Sequence, residues 1–158
     1  MGMNEISSLK APGPGLETSI GLPHSIEAEQ QLLGAILTNN DLFERVSPIV
    51  RAEHFYDPVH ARIFETAIAR IAKNSLASPV TLKTFMEDDA GLAELGGPAY
   101  LVRLAGAAIS SFAVRDYAEM IYDMAIRREL ITVGNEIAAK AARVDVDSEP
   151  KEQIIEAE

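Results

Sequence analysis

Residues Phe112 to Arg143 read FAVRDYAEMIYDMAIRRELITVGNEIAAKAAR, a stretch with no proline and with Gly134 as its only glycine. Most of its residues are good helix formers, and apolar side chains recur at helical spacing through Tyr117, Ile121, Met124, Ile131 and Ile137. A single helix of roughly 30 residues is about 45 Å long. A domain folded from the ~90 residues before it is only about 30 Å across. The helix is therefore expected to overhang its own domain. Apolar residues also fall off the first stripe, at Met120, Ile126, Leu130 and Val133. One core cannot cover a helix that is apolar on more than one side, which points to a partner surface.

Working back toward the N-terminus, Met1 to Gly21 is rich in Gly, Pro and Ser and has no apolar period, so a disordered arm is expected there. Order is expected from Leu22-Pro23-His24-Ser25, with Ser25 as N-cap and Glu27 and Glu29 placing negative charge in the first turn. Ile26, Leu33, Ile36 and Leu37 form the buried stripe of this helix, and Ala28, Gly34 and Ala35 permit close approach of a neighbour. Asn39-Asn40 stops it, and Asp41 is read as the cap of a short second helix through Leu42, Phe43 and Val46.

Asp57 followed by Pro58 is an N-cap followed by proline at the first helical position, and the third helix runs to about Lys73 over Ile63, Phe64, Ile68 and Ile71. Thr81 is expected to cap a fourth helix with Leu82, Phe85 and Met86 inward. Gly96-Gly97 breaks the chain and Pro98 opens a fifth helix with Tyr100, Leu101 and Leu104. After the long helix, VDVDSEP is a polar connector in which Asp147 or Ser148 can cap a last helix centred on Ile154 and Ile155. No stretch alternates with a period of two, so the fold class is all-α. The expected organisation is an arm (1–21), a helical head (22–109), a long hairpin helix (110–143) and a connector with the start of a second hairpin arm (144–158). So short a final helix is not stable alone and reads as the beginning of something longer.

Composition narrows the function. A net charge of −10 repels phosphate backbones and disfavours a helical nucleic-acid-binding domain. With no cysteine there are no disulfides, thiolate metal sites or thiol nucleophiles. No apolar run reaches the ~18 residues of a membrane span, and the start lacks a signal-peptide pattern, so a cytoplasmic location is expected.

Gly91-LAEL-Gly96 is followed by Gly97 and Pro98 where a phosphate-binding loop needs Lys and Ser or Thr. His24, His54 and His60 lack metal-binding spacing, and packing is the favoured role for His60. Arg127 and Arg128 could hold phosphate, but an exposed i,i+4 pair of Asp123 with Arg127 is the simpler reading. No catalytic residue, cofactor site or metal site emerges.

Five segments in order resemble the N-terminal domain of the bacterial replicative DNA helicase, the DnaB family. They are LPHSIEAEQQLLGAIL, with Ala28-Glu29 before Leu33-Gly34; HFYDPVHARIFETA, with Phe55-Tyr56, His60 and Ile63-Phe64; LGGPAYLVRLA, with Gly96, Gly97, Tyr100 and Leu101; DYAEMIYDMAIRRELI; and the closing IIEAE. The resemblance covers Leu22 to Glu158 and implies a non-catalytic helical head with a helical hairpin. In that family the hairpins pair into a collar of dimers on a hexameric ring, which receives the C-terminal domain of primase. A helicase loader or phage protein can also engage the helicase.

By the same resemblance ATP and Mg belong to a C-terminal domain outside this chain, in a parent that is an ATP-dependent 5′–3′ helicase. The implied partners are thus another copy of the chain and primase, with no direct nucleic acid and no membrane. Tyr100, Ile131 and Ile137 are the candidate partner contacts, with ordinary core packing as the competing role of each. The helicase-binding domain of a primase has a similar fold, but an opening LPHSIEAEQ near the start of the chain argues against it.

Overall fold

The computed structural model describes residues 21–108, 110–143 and 150–157. The helices are α1 (Ile26–Thr38), α2 (Phe43–Val46), α3 (Pro58–Ile71), α4 (Pro79–Met86), α5 (Ala90–Glu94), α6 (Pro98–Ala107), α7 (Val114–Ala142) and α8 (Pro150–Ala157), with no strand among the described residues. The arm assigned to 1–21 and the Asp147 or Ser148 cap lie outside the described residues, Gly21 excepted.

α1 is the central helix. Nine of its thirteen residues are buried, from Ala28 to Leu37, because α3, α6 and α7 all pack against it. A helix enclosed on several sides needs a small residue where a neighbour's backbone comes nearest. Gly34 is that residue, since an added Cβ would collide with the Leu104 carbonyl of α6. The largest fully enclosed apolar side chains of α1 and its neighbours are Leu32, Leu33, Ile36, Ile63, Phe64, Leu82, Leu92, Leu101 and Leu104, with Val46 as well. Phe64 meets Phe43 edge-on at 6.1 Å and Phe55 at 4.9 Å between ring centroids. Ile68 and Ile71, expected inside α3, are only partly buried, whereas Val59, His60 and Ala67 are buried.

The caps show which side chains start each helix. Ser25 Oγ accepts from the Ala28 amide and Asp57 Oδ1 from the Val59 amide, both as the sequence indicates. Two expected caps are displaced. Asn39, not Asp41, supplies the cap ahead of α2, accepting from the Asp41 amide and starting a 3-10 turn at Asn40–Leu42. Ser78, not Thr81, caps α4, and Thr81 at the third helical position returns the bond to the Ser78 amide. Proline at Pro79 starts the helix earlier than Thr81 would, because its fixed φ suits the first turn and its missing N–H costs nothing there.

Phe85, expected inward, is 62% exposed, while Leu82 and Met86 bury the inner face of α4. Asn40 ties the end of α1 to the loop before α4, donating to the carbonyls of Ile36 and Ala77 and accepting from the Ala77 amide. After α5 the chain reverses through Gly96 and Gly97, whose φ values of 115° and 67° suit glycine.

Asp89 combines two roles, capping α5 through the Leu92 amide and receiving Arg62 of α3 at 2.6 and 2.9 Å. The Arg62 hydrogen bond, followed by that of Leu92, lowers its carboxyl to about 2. A carboxyl depressed on folding stabilises the fold above its unfolded pKa and loses that contribution as pH falls through the folded value. Arg62→Ala should therefore cost about 1 kcal/mol at neutral pH. In urea unfolding the difference from wild type should shrink below about pH 4 and be lost only below about pH 2. Gly34→Ala should cost about 1–3 kcal/mol at all these pH values, because the α1–α6 spacing must widen to admit a methyl.

Candidate functional site

α7 is two helices in one as regards burial. Its first half docks on the head through Val114, Ala118 and Ile121, spaced i, i+4 and i+7 along one face. Beyond Arg128 no residue of α7 is buried. The fourteen residues from Glu129 to Ala142 extend about 21 Å past that point, at 1.5 Å each. Leu130, Val133 and Ile137 are exposed there, at 66%, 39% and 45%, and Met120 and Tyr122 lie exposed on the docked half. α8 packs against α7 with Lys140 and Glu156 paired at 3.3 Å, and it leaves Ile154 and Ile155 exposed as well. The overhang inferred from helix length is thus present, and it carries an apolar surface that no described residue of the chain covers.

Arg128 marks where head and overhang part. Its guanidinium donates to the Pro23 carbonyl and the His54 carbonyl, each at 2.8 Å. It also lies 5.4 Å from the centre of the Tyr56 ring, which stacks on His24 at 4.0 Å. His54 in turn meets Tyr122 of α7 edge-on at 5.1 Å. Burial pushes the His54 imidazole below its ordinary range. Its Nδ1 accepts from the Arg51 amide, which suits an uncharged ring. One cation therefore fastens α7 to two separate segments of the head. No sequence pattern exposes this joint, because Arg128's hydrogen-bond partners are backbone carbonyls far away in the chain. Its neighbour Arg127 pairs with Asp123 at 2.9 Å on an exposed face, as expected.

Of the candidate contacts, Ile137 is exposed, Ile131 is half-buried and Tyr100 is 7% exposed. Tyr100 belongs to a buried polar chain. Its hydroxyl lies 2.6 Å from His60 Nε2 and 3.2 Å from Gln30 Nε2. His60 Nδ1 lies 3.2 Å from Glu29 Oε1, and the Glu29 carboxylate accepts from the amides of Tyr56 and Asp57. The arrangement that satisfies every group has Tyr100 donating to His60 Nε2 and His60 Nδ1 donating to Glu29, with Gln30 donating to the phenol oxygen. Burial also raises the Tyr100 phenol above its ordinary range. His60 is thus a packed, hydrogen-bonded residue. Glu29, read from sequence as a negative charge in the first turn of a helix, is 2% exposed. The Glu29–His60–Tyr100 chain joins α1, α3 and α6 through directional bonds. No group of acidic or histidine side chains among the described residues is arranged to hold a metal.

A helical head with a long projecting helix, against which a short last helix packs, defines an all-α class of domain. A family model for the DnaB-like helicase N terminal domain matches residues 21–123, and the chain belongs to that family. Among relatives, the replicative DNA helicase DnaB of Rickettsia conorii is 42% identical over 138 residues and that of Rickettsia typhi 41% over 137, each covering 87% of this chain. The Pasteurella multocida protein is 33% identical over 127 residues, 80% of the chain. The chain spans only 28% of the length of the Rickettsia relatives and 27% of the Pasteurella one.

The fold is shared with the N-terminal domain of DnaB helicase from Mycobacterium tuberculosis. That match has a TM-score of 0.78 and 23% identity, over 87% of this chain and 95% of that one. A structure of a DnaB-like replicative helicase and its interactions with primase matches at a TM-score of 0.65 and 24% identity, over 83% of this chain and 31% of that one. No described helix is long and apolar enough to cross a membrane.

Tyr100→Phe keeps the ring and removes the hydroxyl, leaving His60 Nε2 and Gln30 without their buried partner. It should destabilise the head by about 1–3 kcal/mol, measured by chemical denaturation with far-UV circular dichroism.

Proposed function

We propose that this chain serves as the assembly and docking domain of a replicative DNA helicase. In this reading the hairpin pairs with that of a second copy, the paired domains build the collar of a hexameric ring, and the collar receives the C-terminal domain of primase or a loader. The observation that carries it is the apolar surface of Leu130, Val133 and Ile137 on the part of α7 beyond the Arg128 joint, with Ile154 and Ile155 exposed on the α8 that packs against it. Such a surface gains most when another apolar face covers it. Ile131 and Ile137 lie on the partner side in this proposal, and Tyr100 holds α6 in place from beneath. The membership in the DnaB-like family and the fold shared with a helicase described with primase support the same reading. The parent's ATP-driven unwinding, with ATP and Mg, belongs to sequence outside this chain. Direct binding of nucleic acid by this domain is disfavoured by its net charge of −10.

Two measurements test it. In sedimentation velocity, Ile137→Asp should weaken self-association by about tenfold or more, since a charge would be buried in an apolar contact. Its thermal midpoint should stay within a few degrees of wild type, because Ile137 contributes no buried core surface. In calorimetry, the primase C-terminal domain from the same source should give saturable heat that is reduced by Ile131→Ala or Ile137→Ala in folded protein. Unchanged self-association and unchanged heat in these variants would remove the hairpin as the docking surface.

A further inference from the structure

A second set of exposed apolar residues lies on the head, on α4 and in the loop before it. Residues 66–86 contain Arg70, Lys73 and Lys83 and no aspartate or glutamate, in a chain whose net charge is −10. Leu76, Val80 and Phe85 in the same stretch are 62%, 79% and 62% exposed. Arg70 is half-buried between two of them. Its Nε donates to the Leu76 carbonyl at 2.7 Å, and its guanidinium carbon lies 5.0 Å from the centre of the Phe85 ring. Its two terminal nitrogens have no hydrogen-bond or carboxylate partner among the described residues, although every other described arginine in the first hundred residues except Arg45 is ion-paired. The result is a pre-set, partly desolvated cation on an aromatic ring, with exposed aliphatic carbon beside it.

A guanidinium fork recognises a carboxylate through two parallel hydrogen bonds, and its desolvation strengthens them. Arginine and aromatic anchors are also the residues that dominate protein interfaces. We propose that this face docks an acidic, apolar peptide segment of a partner protein, with a carboxylate in the open fork of Arg70 and an adjoining apolar side chain over Leu76 and Phe85. Lys73 and Lys83 favour the approach of such a segment by their charge. A nucleic-acid strand fits less well. Leu76 and Val80 offer nothing to phosphate, and Glu87 and Asp88 resume the acidic surface at the end of α4.

The test is fluorescence anisotropy on the whole chain with a short labelled peptide in which glutamates alternate with leucines. The controls are a lysine–leucine peptide and a single-stranded oligonucleotide. Saturable binding of the acidic peptide is expected, weakening with added salt and about tenfold weaker in Phe85→Ala. Lys83→Glu should weaken it as well, and both variants change exposed side chains, so they should melt like wild type. Arg70→Lys keeps the charge but loses the fork, and should also weaken binding. No saturable binding of the acidic peptide, or binding unchanged in all three variants, would overturn the proposal. Saturable binding of the oligonucleotide instead, lost in the same variants, would overturn it in favour of a nucleic-acid partner.

Discussion

A buried carboxylate sets the geometry of the head. Glu29 is almost fully enclosed, and an enclosed charge is costly unless hydrogen bonds replace the water it lost. Here the amides of Tyr56 and Asp57 and the His60 imidazole do so. Those two amides immediately precede α3, so α3 can begin only where α1 presents the carboxylate. His60 then passes the constraint on to Tyr100 of α6. Three helices far apart in sequence are placed by one chain of directional bonds, whereas apolar packing alone tolerates sliding and repacking. No buried side-chain nitrogen or oxygen among the described residues lacks a partner, so the network is complete.

The joint at Arg128 extends this order to the hairpin. Pro23 lies just ahead of α1, and His54 lies in the turn leading to α3. The two carbonyls that receive Arg128 are therefore positioned by the same segments that Glu29 organises. The projecting half of α7 inherits its direction from the head through this contact and through the buried Val114, Ala118 and Ile121. A surface intended for a partner is more effective when it is held in one orientation, because less freedom is lost on association. The stacked His24, Tyr56 and Arg128 make that joint broader than a single hydrogen bond.

The two exposed apolar regions differ in chemistry. On the hairpin they are aliphatic and run along helices, which suits packing against another helix. On the head, Leu76 and Phe85 flank an arginine in a basic stretch, which suits a segment carrying both carboxylates and apolar groups. Separate surfaces of these two kinds match the two contacts proposed above, one with a copy of the chain and one with a different protein.

The sequence by itself determined the helical class, the long helix and most helix starts, because these depend on local properties. Periodicity, Ser25, Asp57-Pro58 and Gly96-Gly97-Pro98 act within a turn or two of themselves. It also carried the family motifs, in which His60 reads as a packing residue and Tyr100 as a candidate partner contact, with no sign of the bond between them. The shifted caps at Asn39 and Ser78 were partly legible, since both are good capping residues beside the ones favoured. Tertiary structure alone decided that Glu29 is interior, that Phe85 faces out, that Tyr100 bonds His60 and that Arg128 holds the joint. Each of those facts depends on groups between 15 and 105 residues away in the chain, and two of the decisive partners are main-chain carbonyls. Every residue has such a carbonyl, so no side-chain pattern can announce which one an arginine will find.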